Sequence, residues 1–167
     1  ALVATWLQRP EASAALNSVT IDSTGSRKLS RPPLDYPCKY YPSKVQVDAS
    51  GPKTYTLTVG EQKVDLRQKN LGSADVGLVA TWLQRPEVMA VVEDLNISEA
   101  IIGDAGATLV EAISSSSILN FITIGKGLRL PLKDDYDSDV LDASEKGIEP
   151  GGVAVIAWWL TTSAAAA

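Results

Sequence analysis

Residues Leu2–Glu11 read LVATWLQRPE, and the same ten letters return at Leu78–Glu87, 76 positions later. Ten identical residues do not recur by chance in a chain of 167 residues. The sequence is therefore built from repeated units and has to be read unit by unit. Repetition also constrains function. Stacked units commonly offer a surface to a partner, whereas catalysis needs a constellation of unlike groups.

The overall balance removes several function classes. Apolar residues make up 45% of the chain and charged residues 21%, enough for a core within one domain spanning 1–167. The formal net charge is -5, from 20 acidic and 15 basic residues, and that argues against a nucleic-acid footprint. Histidine is absent, so the commonest general base and every Ser/His or Cys/His arrangement are excluded. The single cysteine, Cys38, cannot close an intrachain disulfide, which fits a reducing, intracellular setting. The longest apolar run, Gly151–Leu160, is about half the roughly 20 residues a membrane span needs, and reads as a buried helix. The chain opens inside a repeat and closes on Ala164–Ala167, as a fragment of a longer protein would.

Three segments align: Val64–Val76 (VDLRQKNLGSADV), Leu95–Ala107 (LNISEAIIGDAGA) and Leu141–Val153 (LDASEKGIEPGGV). Apolar or small residues match at Val64, Leu66, Leu71 and Val76, at Leu95, Ile97, Ile102 and Ala107, and at Leu141, Ala143, Ile148 and Val153. Alternation at the start of each segment predicts a short half-buried strand, followed by a loop and a helix. The helices carry stripes at i, i+3, i+4 and i+7: Val76, Val79, Ala80, Leu83; Gly106, Leu109, Val110, Ile113; and Val153, Ile156, Ala157, Leu160. Pro150 suits a helix start, and Pro86 closes the helix before it. Strand-spaced residues follow each helix, at Leu16, Val19, Ile21; Val92, Leu95, Ile97; and Leu119, Ile122, Ile124.

A strand, turn and helix recurring every 27–31 residues (Val64 to Leu95, Leu95 to Ile122) is the spacing of a leucine-rich repeat. The segments resemble the long, ribonuclease-inhibitor-like class of that family, with the best match at Val91–Ala107, where Asp104, Gly106 and Ala107 fall in the family's pattern. Lys69, Ala100 and Lys146 stand where the family carries asparagine, which implies irregular turns. The resemblance implies an α/β leucine-rich-repeat solenoid of about four units, with parallel strands backed by helices. Two stretches interrupt it. Residues 22–63 hold Pro32, Pro33, Pro37 and Pro42, then alternating Val45, Val47 and Tyr55, Leu57, Val59 around the turn signal Ser50-Gly51-Pro52, which predicts an inserted β-hairpin. Residues 125–140 form a second insert, with Gly127, Pro131 and an acidic run.

Several letter patterns invite chemistry that the spacing does not support. Asp135, Asp137 and Asp139 could open a calcium loop, but Val140 stands where glycine is needed and Lys146 where glutamate is, so the run reads as a solvated loop. Asn96-Ile97-Ser98 is a glycosylation sequon inside a predicted strand. Gly125-Lys126-Gly127 lacks the rest of a phosphate loop. Glu93 and Asp94 lack an acid/base partner, and Cys38 lacks an activator. Trp6, Trp82 and Trp159 occupy equivalent helix positions and suggest repeated packing between units.

In a solenoid the concave face would show the residues flanking each strand core: Thr20, Asp22, Asp65, Arg67, Asn96, Ser98, Thr123, Asp142 and Ser144. They are polar, mostly small and mixed in sign, the makings of a face that binds another protein. What the resemblance implies is a non-enzymatic protein-interaction module; the composition and motif spacing add the expectation of no cofactor, no metal, no nucleic acid and no membrane span. The rival expectation is a structural subunit of a large assembly, docking through the hairpin insert and the proline-rich Arg31–Pro42.

Overall fold

The computed structural model describes residues 16–25, 51–134 and 136–165. Among these, six strands form two sheets. Strands β1 (Ser18–Asp22) and β2 (Thr54–Thr58) pair antiparallel, with Val19 opposite Leu57. The second sheet has the order β3 (Lys63–Asp65), β4 (Asp94–Asn96), β5 (Phe121–Ile124) and β6 (Leu128–Pro131). Its first three strands run parallel, and β6 returns antiparallel to β5. Four helices are described: α1 (Ser73–Leu83), the short α2 (Pro86–Met89), α3 (Gly106–Ser115) and α4 (Pro150–Trp159). Helix α3 packs between α1 and α4.

The core follows from the pleat. Register places Val64, Leu95, Ile122 and Leu130 side by side across all four strands, and all four are buried. Helices supply Val76, Val79 and Trp82 from α1, Leu109, Ala112 and Ile113 from α3, and Val155 and Trp159 from α4. Burying an aliphatic or aromatic side chain of this size contributes about 1.5–3 kcal/mol. Trp159 also donates from Nε1 to the Pro131 carbonyl at 2.6 Å, which ties α4 to the edge strand.

The turns after β3 and β4, and the segment before α4, share one local device. Asp65, Asn96 and Asp142 each accept, on a side-chain oxygen, the backbone N–H two residues on, from Arg67, Ser98 and Ser144. The next residue is left-handed each time: Gln68 (φ 56), Glu99 (φ 67) and Glu145 (φ 55). An Asx-type bond of this kind supports the tight turn locally. The three aligned segments thus do repeat in their turn geometry.

The expected leucine-rich-repeat solenoid does not form. Its third strand, Leu141–Ala143, lies outside any sheet. Gly125 (φ 54) and Gly127 (φ 87) fold the chain back after β5, so β6 takes the sheet edge on which Leu141–Ala143 would have paired. Leu141 and Ala143 still pack against the core, and the following turn docks on the sheet through Lys126 N–H to the Lys146 carbonyl at 2.6 Å. Strands β1 and β2 form a separate antiparallel pair rather than extending a ladder. The first strand of the hairpin expected from Val45 and Val47 lies outside the described residues, as do Leu2–Glu11, Trp6, Arg31–Pro42 and Cys38; among the described residues Thr54–Thr58 pairs with Ser18–Asp22.

Two further expectations are corrected. Pro86 opens α2 rather than merely closing α1, which ends at Leu83. The stripe assigned to α4 faces outward: Val153 is 54% and Leu160 59% exposed, while Gly151, Gly152, Val155 and Trp159 are buried. Among the described residues no helix is long and apolar enough to cross a membrane.

A buried carboxylate ties the β1–β2 pair to the start of α1. Asp75, at the third position of α1, accepts from Gly72 N–H (2.8 Å), Thr24 N–H (2.7 Å), Thr24 Oγ1 (2.8 Å) and the Tyr55 hydroxyl (3.2 Å). Burial, then the neighbouring Asp75 charge and the hydrogen bond to it, push the Tyr55 phenol far above its ordinary value. A raised folded value means that stability is fully present below the unfolded phenol's pKa and is lost as pH climbs past it toward the folded one. Ultraviolet titration at alkaline pH should therefore show Tyr55 ionising late, together with loss of the fold. A set of tyrosines all titrating near pH 10 in folded protein would contradict the burial of Tyr55.

Candidate binding face

The outer face of the four-stranded sheet carries the side chains that alternate with the core row. Register sets them in two lines: Lys63, Asp94, Phe121 and Pro131, then Asp65, Asn96, Thr123 and Arg129. Arg67 and Ser98 continue the second line into the turns beyond β3 and β4. Together with Gly127 these residues, Phe121 and Pro131 excepted, line a shallow groove of about 380 Å³.

Most charges on this face are neutralised within it. Arg67 Nη2 lies 2.7 Å from Asp65 Oδ2, and its Nε donates to both carboxylate oxygens. That hydrogen bonding holds the Asp65 carboxyl below its ordinary value, so the pair stays ionised at neutral pH. Arg129 reaches diagonally over β5: its guanidinium carbon sits 3.9 Å from the Phe121 ring centroid, and its Nη2 bonds Asp94 Oδ2 at 2.9 Å. A cation held both by an aromatic face and by a carboxylate has little freedom. Asn96 Oδ1 accepts from the Ser98 N–H (3.0 Å) and hydroxyl (2.6 Å), so the sequon's amide is already engaged inside the fold.

Arg129 and Phe121 also border a second hollow of about 510 Å³, completed by Pro131, Asp134, Tyr136, Asp137 and Ser138. Tyr136 stands edge-on to Trp159, with centroids 5.2 Å apart, and its backbone N–H bonds the Ala164 carbonyl.

No family model, curated protein or solved structure matches this chain. Its chemistry is carried by the groups above.

Five of the nine residues expected on one face do come together: Asp65, Arg67, Asn96, Ser98 and Thr123. Thr20 and Asp22 do not. They lie on β1 in the other sheet, where Thr20 Oγ1 bonds Thr56 Oγ1 (2.9 Å) and Asp22 Oδ1 accepts from Thr54 Oγ1 (2.7 Å). Asp142 and Ser144 bond each other in the irregular segment before α4, at 2.5 Å between Oδ1 and Oγ. The Asp142 carboxyl is lowered by those Ser144 bonds.

Sequence reasoning missed Lys63, Asp94, Phe121 and Arg129. The first three carried a signal, since each sits one position before an inward residue of a recognised strand (Val64, Leu95, Ile122). Arg129 carried none, because its place depends on β6 returning beside β5. Among the described residues no three His, Cys, Asp or Glu side chains gather as a metal ion would require.

Proposed function

We propose that this chain is a non-catalytic protein-binding module and that the open face of its four-stranded sheet is the docking surface. The observation that carries this reading is the pre-paired lattice. Asp65 with Arg67, and Asp94 with Arg129 and Phe121, are fixed on a backbone whose opposite side is the core. Side chains held in this way lose little conformational entropy when a partner covers them. The face is shallow, polar and studded with an arginine and an aromatic ring, the residue types that anchor protein interfaces.

The test is comparative affinity capture from the source cells. Arg129→Ala, which strips the centre of the face, is expected to reduce capture of the specific partner at least 10-fold, the scale of an interface anchor. Glu111→Ala, on the exposed side of α3, should leave capture unchanged. If Arg129→Ala captures normally while Thr20→Lys on β1 abolishes capture, the docking element is the β1–β2 pair and the sheet-face reading is overturned.

A further inference from the structure

The open face is not electrically uniform. At the β3 end, the Lys63 side chain has neither an ion-pair nor a hydrogen-bond partner among the described residues. At the β6 end, Asp134 and Asp137 rim the second hollow, likewise without an ion-pair partner among the described residues, since Arg129, which borders the same hollow, pairs with Asp94. The charges between them cancel in place: Asp65 with Arg67, and Asp94 with Arg129. The face therefore has one unspent positive pole and one unspent negative pole, separated by a neutralised middle.

The separation is set by the sheet. Lys63 stands in register with Asp94, Phe121 and Pro131, so Pro131, which lines the second hollow beside the negative pole, lies three inter-strand steps from Lys63. At about 4.8 Å per step this is roughly 14 Å. An extended segment crossing the strands advances about 3.4 Å per residue, so side chains four residues apart also stand roughly 14 Å apart, and on the same side of the segment.

We propose that the partner's docking element is an extended segment of opposite polarity: an acidic side chain over Lys63 and, four residues along, a lysine or arginine in the hollow between Tyr136 and the Asp134 and Asp137 carboxylates. The aromatic wall of that hollow adds to the fit for a guanidinium, which stacks on ring faces as well as pairing with carboxylates. This inference rests on the docking face proposed above and names the chemistry that face selects.

The full chain, labelled for amide NMR, is titrated with the peptide Gly-Glu-Thr-Val-Thr-Arg-Gly and with versions in which the glutamate, the arginine or both become glutamine. The charged peptide should perturb the Thr123 and Arg129 amides and bind about 10-fold more tightly than the doubly neutral one, with the gap closing as salt is raised. Lys63→Glu should invert the preference, so that a peptide with arginine at both positions binds better than the glutamate–arginine one. Binding that perturbs the same amides but ignores peptide charge overturns the polarity while leaving the docking face standing. Peptides that perturb no residue of the sheet face at any charge overturn both.

Discussion

Replacing Asp75 by alanine is expected to cost about 3–5 kcal/mol of unfolding free energy, a large share of the stability of a small domain. The side chain is 3% exposed and accepts four hydrogen bonds from three separate parts of the chain. Its removal leaves the Gly72 N–H, the Thr24 N–H and the Tyr55 hydroxyl to find new partners, and the two N–H groups are backbone atoms that cannot turn away. It also takes a carboxylate from the first turn of α1, where the helix dipole favours negative charge. Urea denaturation reads the effect as a lower midpoint at constant slope. Thr24→Val, which removes only the hydroxyl donor, should cost about 1 kcal/mol. A loss below about 1 kcal/mol for Asp75→Ala would mean that this carboxylate does not hold the β1–β2 pair to α1.

Gly151→Ala should cost about 3 kcal/mol, though it adds a single methyl group. A Cβ built on Gly151 lies 2.3 Å from the Gly103 carbonyl oxygen and 2.7 Å from the Gly103 nitrogen. Both are backbone atoms, so no side chain can swing aside, and the start of α4 must move off the turn preceding α3. That movement pulls on Glu149, whose carboxylate accepts from Ile102 N–H (3.0 Å), Gly103 N–H (3.0 Å), and Gly151 and Gly152 N–H (3.2 Å each). One side chain thus caps α4 and stitches it to the neighbouring helix start, a use of backbone donors that α4 would otherwise leave unpaired. The control is Gly77→Ala within α1, where the nearest atom to the new Cβ is 4.0 Å away; it should stabilise by roughly 0.5–1 kcal/mol through helix propensity. Thermal unfolding of the two variants should move in opposite directions. Equal and small shifts would show that the α3–α4 contact tolerates the extra carbon.

How much of this was readable follows the range of the interactions. Strands β3, β4 and β5 were legible because Val64, Leu95 and Ile122 alternate with polar neighbours, a pattern local to a few residues. Helix α1 was legible for the same reason, and its stripe of Val76, Val79, Ala80 and Leu83 is buried. Helix α4 misled because nearly every position in PGGVAVIAWW is apolar or glycine; a period cannot select a face when no position is polar. Its orientation is decided by Gly151 meeting Gly103, a contact between residues 48 positions apart. Leu141–Ala143 misled because alternation gives a strand only where an edge is free to pair. On the binding face, Asp65, Asn96 and Thr123 followed from alternation, whereas Thr20 and Asp22 were misplaced because β1 finds its partner in β2, across 32 to 40 residues.

The sequence by itself determined the local units: the alternation that marks the three parallel strand cores, and the Asx-supported turns after Asp65, Asn96 and Asp142, which are held by bonds between residues two positions apart. Tertiary structure alone decided how many units stack and which polar residues share a face. Edge pairing is competitive, and the nearby β6, delivered by a three-residue turn, closes a far smaller loop than Leu141–Ala143 would have to.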